Sequence, residues 1–344
     1  MSLAIQPVAP FDLSLSLSFL AGFGPMRGEQ SATGTTLTKV VSCRGQPIGF
    51  RVRQAGDRER PRLDVDLVAE GPLDQGRWRE VLGRVRAFLS VDEDLALFYA
   101  QAGEDAAVAP LVAQYRGLHH VRFPSPFEAA CWGLINQRTA QSAARRMKAA
   151  LARRAGGRLE VDGVEHLAFP EPQAVASLGL DELERLLPGG RRGAAVYAAA
   201  RAFATVDDAF LREGPIDDVR AWLRAIHGVG PFTSSFVLYR GLGRFDGVSV
   251  VADKLVQAAQ ALYGRPMTQR DVARIAESYG TWGGYWMLYV WGSTFLGTGV
   301  DAGDEPGCGG LQDDVTELPT GRTVPDRSPR LAGWTAASPV HRPS

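Results

Sequence analysis

A chain of 344 residues, 45% hydrophobic, is long enough for two domains on the usual scale of roughly 100 to 200 residues each. The first basic residue is Arg27 and no window of about 18 apolar residues is unbroken, which argues against a secretory signal and a membrane span and for a soluble, cytoplasmic protein. Net charge is zero, and residues 301–344 hold seven acids and four arginines, leaving 34 basic and 31 acidic residues in 1–300, so contact with a nucleic acid would have to be local and not through a broad basic face.

Taken in chain order, residues 12–19, DLSLSLSF, alternate with period two and predict a half-buried strand carrying Leu13, Leu15, Leu17 and Phe19 on one face. Segments 37–42 and 48–53 flank Arg44-Gly45-Gln46-Pro47 and predict a β-hairpin, and Leu63, Val65 and Leu67 alternate with Asp64 and Asp66. Asp74 caps a helix whose apolar side carries Trp78, Val81, Leu82, Val85, Phe88 and Leu89. Residues 1–90 therefore read as a small antiparallel sheet plus helix.

From Asp94 helical periodicity takes over, with helices predicted at 94–102, 106–116, 126–154, 181–187, 193–212, 253–263, 268–279 and 282–296, so 91–300 reads as all-α. Residues 301–344, rich in Gly, Pro, Ser and Thr, read as a disordered tail. Cys43, Cys131 and Cys308 are odd in number and far apart, which leaves no disulfide framework and no four-cysteine zinc or iron–sulfur site. No histidine stands at metal-ligand spacing with them. Gly241-Leu242-Gly243 ends a helix instead of joining a strand to one, so a dinucleotide fold is excluded.

Most of the functional signal lies in 223–262. Trp222, Leu223 and Ile226 share a helical stripe, Gly228 and Gly230 break that helix, and Pro231 opens another bearing Phe232, Phe236 and Tyr239. Backbone N–H groups around Gly228 and Gly230, at the start of the second helix, suit a phosphate whatever the base sequence. An ordinary αα-turn would use glycine in the same way. Asp253 opens the next helix beyond the apolar link 248–252. It reads either as an N-cap or as a carboxylate that stabilises an oxocarbenium-like sugar and orients water.

IHGVGPFTSSFVLYRGLG followed by VVADKLV resembles the helix-hairpin-helix DNA glycosylases, and FEAACWGLINQRTAQSAARRM resembles that superfamily's other helix pair. PFDLSLSLSFLAGFG and the N-terminal sheet bring the chain closest to the alkylpurine branch, 3-methyladenine DNA glycosylase II, over roughly residues 10 to 298. The resemblance implies a mainly α fold with an α+β domain in front. It implies excision of a flipped alkylated purine from damaged double-stranded DNA by a monomeric enzyme, near the nucleoid in a bacterium. It makes Asp253 the catalytic aspartate, Phe19, Phe232, Phe236 and Trp291 the base pocket, and Gly228, Gly230, Thr233, Gln137, Arg138 and Lys254 the DNA contacts. Phe232 stands where lyase-competent members carry a lysine, implying hydrolysis without a Schiff base. No cofactor is required; a structural cation on the hairpin carbonyls is compatible with the family, and an iron–sulfur cluster is not compatible with the cysteine count.

Two departures bear on substrate. Lys254 stands beside the acid where the branch usually has an aromatic, and Arg138 replaces an apolar wedge; a lysine there repels a cationic base and favours neutral lesions. Trp282, Tyr285, Trp286 and Tyr289 share the last helix with Trp291, where a stripe at that spacing more often forms core. Two alternatives stay open: a glycosylase for oxidised or deaminated bases, and a non-catalytic hairpin protein that only binds DNA.

Overall fold

The computed structural model describes residues 2–245 and 252–296, so the predicted tail, Cys308 and most of the 248–252 link lie outside the described residues. β1 (Ser2–Ile5) is followed by α1 (Leu13–Gly22), β2 (Gln30–Thr33), β3 (Thr36–Cys43), β4 (Gln46–Gln54), β5 (Leu63–Val68) and α2 (Gln75–Leu89). The strands form one antiparallel sheet in the order β1-β5-β4-β3-β2. Arg44 and Gly45 both take positive φ, 50° and 75°, the geometry of a two-residue hairpin turn, and Cys43 pairs with Gln46 as that turn requires. Val81, Val85, Phe88 and Leu89 of α2 are buried, with the Phe88 ring edge-on to Phe50 of β4 at 6.2 Å.

The 12–19 segment is a helix and not the expected strand. Asp12 caps α1 by accepting a hydrogen bond from Ser14 N at 3.0 Å, and the buried side chains Leu13, Ser16, Leu17 and Leu20 follow the helical spacing i, i+3, i+4, i+7. Leucines at 13 and 17 satisfy both periods. Tertiary burial selected the helix, at the cost of burying Ser16 fully with no partner for its hydroxyl among the described residues.

Helices follow at α3 (Ala96–Glu104), α4 (Ala109–Gln114), α5 (Pro126–Ile135) and α6 (Gln141–Ala155). The predicted 126–154 helix is thus two, parted by a turn in which Arg138 has φ 48°. The expected all-α region is then interrupted by a second hairpin, β6 (Gly157–Val161) and β7 (Val164–Ala168). Asp162 and Gly163 make its turn, with φ of 55° and 76°. This hairpin covers the sheet face opposite α2: Val40, Leu159, Val161 and Ala168 form a separate small core, and a Cβ on Gly49 would lie 3.2 Å from both Leu159 and Val161.

The chain continues through α7 (Pro172–Ala176), α8 (Leu180–Leu186), α9 (Arg192–Phe203), α10 (Asp208–Glu213) and α11 (Ile216–Ala225). The predicted 193–212 helix breaks between α9 and α10. Last come α12 (Pro231–Phe236), α13 (Asp253–Tyr263), α14 (Gln269–Ser278) and α15 (Gly283–Gly292). Tyr285, Trp286 and Tyr289 are fully buried, so the stripe on α15 is core. Their polar tips are satisfied: Trp286 Nε1 donates to Tyr263 Oη at 3.2 Å, and Tyr289 Oη donates to the Tyr115 and Leu118 carbonyls at 3.1 and 3.2 Å.

Candidate active site and nucleic-acid interface

The turn between α11 and α12 needs glycine at only one of its two positions. Gly228 has φ 85°, and a Cβ there would meet the Ala195 methyl of α9 at 2.5 Å, so conformation and packing both exclude a side chain. Gly230 is extended, and a Cβ on it would meet nothing within 4 Å. It caps α12, and the backbone N–H groups of Gly230, Phe232 and Thr233 have no acceptor among the described residues. With the helix dipole behind them, these unpaired donors make a candidate anion seat.

The turn is braced from below by the α5–α6 connection. Gln137 Nε2 donates to the Gly228 carbonyl at 3.0 Å and to Thr233 Oγ1 at 3.4 Å, and Arg192 donates to the Gln137 carbonyl at 3.1 Å. Thr233 is buried, its side chain against Gly133, where a Cβ would come within 2.8 Å of its methyl, so its hydroxyl is not a group that reaches a ligand. Arg138, beside Gln137, is exposed.

Past Phe236 the helix widens into a π-turn over Val237–Leu242 and ends at Gly243, φ 69°. The Arg122 guanidinium fills the space a Cβ on Gly243 would take, donates to the Leu242 carbonyl at 3.1 Å and pairs with Glu93, which also accepts from Tyr285 Oη. The π-turn directs Arg240 into the core, where its guanidinium carbon lies 4.9 Å from the ring centroids of Phe19 and Phe23, 4.6 Å from Tyr239 and 5.5 Å from Trp291. Arg240 Nη1 lies 2.9 Å from His120 Nε2. Burial, reinforced by Arg240 and Arg122, pushes the His120 pKa well below its ordinary value, so the imidazole is neutral and accepts that hydrogen bond.

The four aromatic side chains of the expected pocket lie along one chain of ring contacts. Phe232 stacks on Phe236 at 6.0 Å, Phe236 meets Phe123 edge-on at 5.7 Å, Phe123 meets Phe23 at 5.9 Å, and Phe23 stacks on Phe19 at 5.3 Å. Trp291 closes on Phe19 at 5.8 Å. Both ends of this chain are part-exposed, Phe232 with Phe236 at one and Trp291 at the other, whereas Phe19, on α1 between them, is fully buried and offers no face to a base.

Asp253 is the first residue of α13, not its cap. Ala252 holds the cap position, and its carbonyl accepts from Leu255 N at 2.9 Å and Val256 N at 3.1 Å. The Asp253 carboxylate is exposed, and its Oδ1 accepts from Gln269 Nε2 of α14 at 3.0 Å. Oδ2 has no hydrogen-bond partner among the described residues. Lys254 is exposed and forms no ion pair among those residues. Gln269, Phe23, Phe123 and Arg240 were not picked out from the sequence. Gln269 is fixed in place by the Thr268–Asp271 capping box that starts α14, a motif readable from the sequence, though its reach to Asp253 is not.

No family model matches the chain. Over 225 residues it is 25% identical to the DNA-3-methyladenine glycosylase of Bacillus subtilis, covering 64% of this chain and 74% of that protein. Over 187 residues it is 26% identical to DNA-3-methyladenine glycosylase 2 of Escherichia coli, covering 54% of this chain and 64% of that protein. Among solved structures, the 3-methyladenine DNA-glycosylase of Archaeoglobus fulgidus aligns with a TM-score of 0.70 at 17% identity, covering 87% of this chain and all of that one. The chain has the fold of that glycosylase, with the helical hairpin and the N-terminal sheet that its sequence led us to expect.

Proposed function

We propose that this chain is a monofunctional DNA glycosylase of base excision repair, hydrolysing the N-glycosidic bond of an alkylated purine flipped out of damaged duplex DNA. The observation that carries the reading is the state of Asp253: an exposed carboxylate at a helix start, aligned by Gln269, with an oxygen not consumed in capping. Kinship with curated relatives named 3-methyladenine DNA glycosylases supports the substrate class.

In this reading the anion seat at Gly230 holds a backbone phosphate, which positions the duplex without reading its sequence. The exposed Arg138, on the adjoining turn, fills the gap left by the extruded nucleotide, Gln137 serves by bracing the hairpin, and Lys254 contacts phosphate. A base must leave the stack before its glycosidic carbon can be reached, and the part-exposed rings of Phe232, Phe236 and Trp291 offer it stacking faces. As the base departs, the Asp253 carboxylate stabilises the positive charge that develops on the sugar and orients the attacking water. Phe232 has no amine to form a Schiff base, so the strand is left uncut. No step runs through a metal or cofactor. The carbonyls of Ile226, Gly228 and Gly230 each make one internal hydrogen bond and keep a second lone pair, and they are the groups that would hold a structural cation.

The test uses duplexes with single defined lesions, 3-methyladenine, hypoxanthine and 8-oxoguanine, with alkali to cleave the abasic product. Wild type excises the alkylated purine, and Asp253→Asn loses about 10²- to 10⁴-fold in single-turnover rate while duplex affinity is kept. Undiminished excision by the variant would remove Asp253 from catalysis. Tight binding without excision of any lesion would leave a binding protein only.

A further inference from the structure

A cleft of about 640 Å³ lies between α6 and the strands β3 and β7. Its size falls in the range of small-ligand sites. Seven Lys or Arg and three Glu side chains line it. The floor is a closed charge network: Lys148 Nζ lies 2.5 Å from Glu29 and 2.7 Å from Glu128, and Lys39 Nζ lies 3.2 Å from Glu29. Lys39, Lys148 and Glu128 are all buried. Two lysines thus balance two glutamates, and the floor contributes no net charge.

The mouth is not balanced. Ser142, Arg146 and Arg153 stand four and seven residues apart on α6, on one face of the helix, and all three line the cleft. Arg146 and Arg153 are exposed and form no ion pair among the described residues, whereas Arg84, also at the cleft, is held by Glu80 and Glu171. Glu165, the acid at the mouth, lies 3.8 Å from Arg158. His166 is held below its ordinary pKa by burial and then by Lys39, which keeps it neutral at pH 7. Exposed guanidiniums over a neutral floor, with a serine hydroxyl in the same stripe, are an arrangement that selects phosphate.

We propose that this cleft is a second phosphate-binding site, with Arg146 and Arg153 clamping the phosphate groups of a single anionic ligand. Two sources share that chemistry. One is the backbone of the duplex seated at the hairpin, since α6 starts four residues after Gln137, which contacts that turn. The other is a free phosphorylated small molecule.

The experiment titrates the full-length protein with pyrophosphate by calorimetry and, separately, measures affinity for undamaged duplex against salt concentration. Wild type is compared with the Arg146→Ala/Arg153→Ala double variant and with Arg154→Ala, which removes a neighbouring guanidinium paired with Glu182 and absent from the cleft. A loss of pyrophosphate affinity of about tenfold or more in the double variant alone, with duplex binding unchanged, identifies a free anion. A uniform loss of duplex affinity, with the log–log salt slope shallower by about 1.8, identifies backbone phosphates. If neither moves, or if Arg154→Ala matches the double variant, the proposal is overturned. Both arginines are exposed on one helix, where alanine is well tolerated, so a folding defect does not confound the result.

Discussion

Two carboxylates mark opposite policies in this molecule. Glu128 is buried between the sheet and α6, with Lys148 at 2.7 Å, and burial still outweighs that lysine and raises its pKa. Asp253 is exposed at the start of α13 with one hydrogen bond, from Gln269. The first is surrounded by groups that need it; the second is surrounded by little that would miss it. Under the proposed function, a charge that acts on a ligand is left incompletely satisfied, and the edge that carries it is the part on which the stability of the fold depends least.

The largest effect that would sharpen this contrast is Lys148→Met, which leaves the buried Glu128 without its cation and Glu29 with Lys39 alone. It is expected to destabilise by about 3–5 kcal/mol in urea unfolding. Asp253→Asn, by contrast, should shift stability by less than about 0.5 kcal/mol. Equal losses in the two variants would break the comparison. Next in size is Gly228→Ala, expected to cost about 1–3 kcal/mol because the residue must keep a positive φ and clear Ala195. Gly230→Leu should leave stability within about 0.5 kcal/mol yet weaken binding to every DNA sequence alike, since its side chain would stand in the anion seat.

The smallest effect is in acid. Burial pushes the Glu29 carboxyl up, but Lys148 and then Lys39 outweigh it and hold its pKa below the ordinary 4.5. Its stabilising contribution is therefore complete above that value and is lost as pH falls through the depressed one. The stability gap between wild type and Glu29→Gln should be widest near pH 7 and shrink below pH 4.5 in urea titrations. A gap that widens in acid would show that the pairing has the opposite sign.

Much of the architecture could be read from local chemistry. Arg44-Gly45 announced a hairpin, Leu63 to Leu67 a strand, and Gly228 to Pro231 a helical turn, because in each the residue type and the backbone demand coincide. The 12–19 segment failed since leucines at 13 and 17 fit both periods, and only burial on the assembled fold decides between them. Asp162-Gly163, between Val161 and Val164, carries the same turn chemistry as Arg44-Gly45, but the helical periodicity on either side masks it in the sequence. At the site, the acid and the rings were visible as residue types at a spacing. Gln269, Arg122 and Arg240 were not, since each matters through a partner far away in sequence: Gln269 through Asp253, Arg122 through Glu93, and Arg240 through Phe19 and His120.

The β6–β7 cover has a consequence for how the chain is made. β4 ends at Gln54, whereas β7 ends at Ala168. At synthesis rates of roughly 5–20 residues per second, the sheet side bearing Val40 emerges on the order of ten seconds before the strands that close it. During that interval an apolar β surface faces solvent in a nascent chain. The step most exposed to misassembly is thus the wait for the cover, well before Asp253 has been translated.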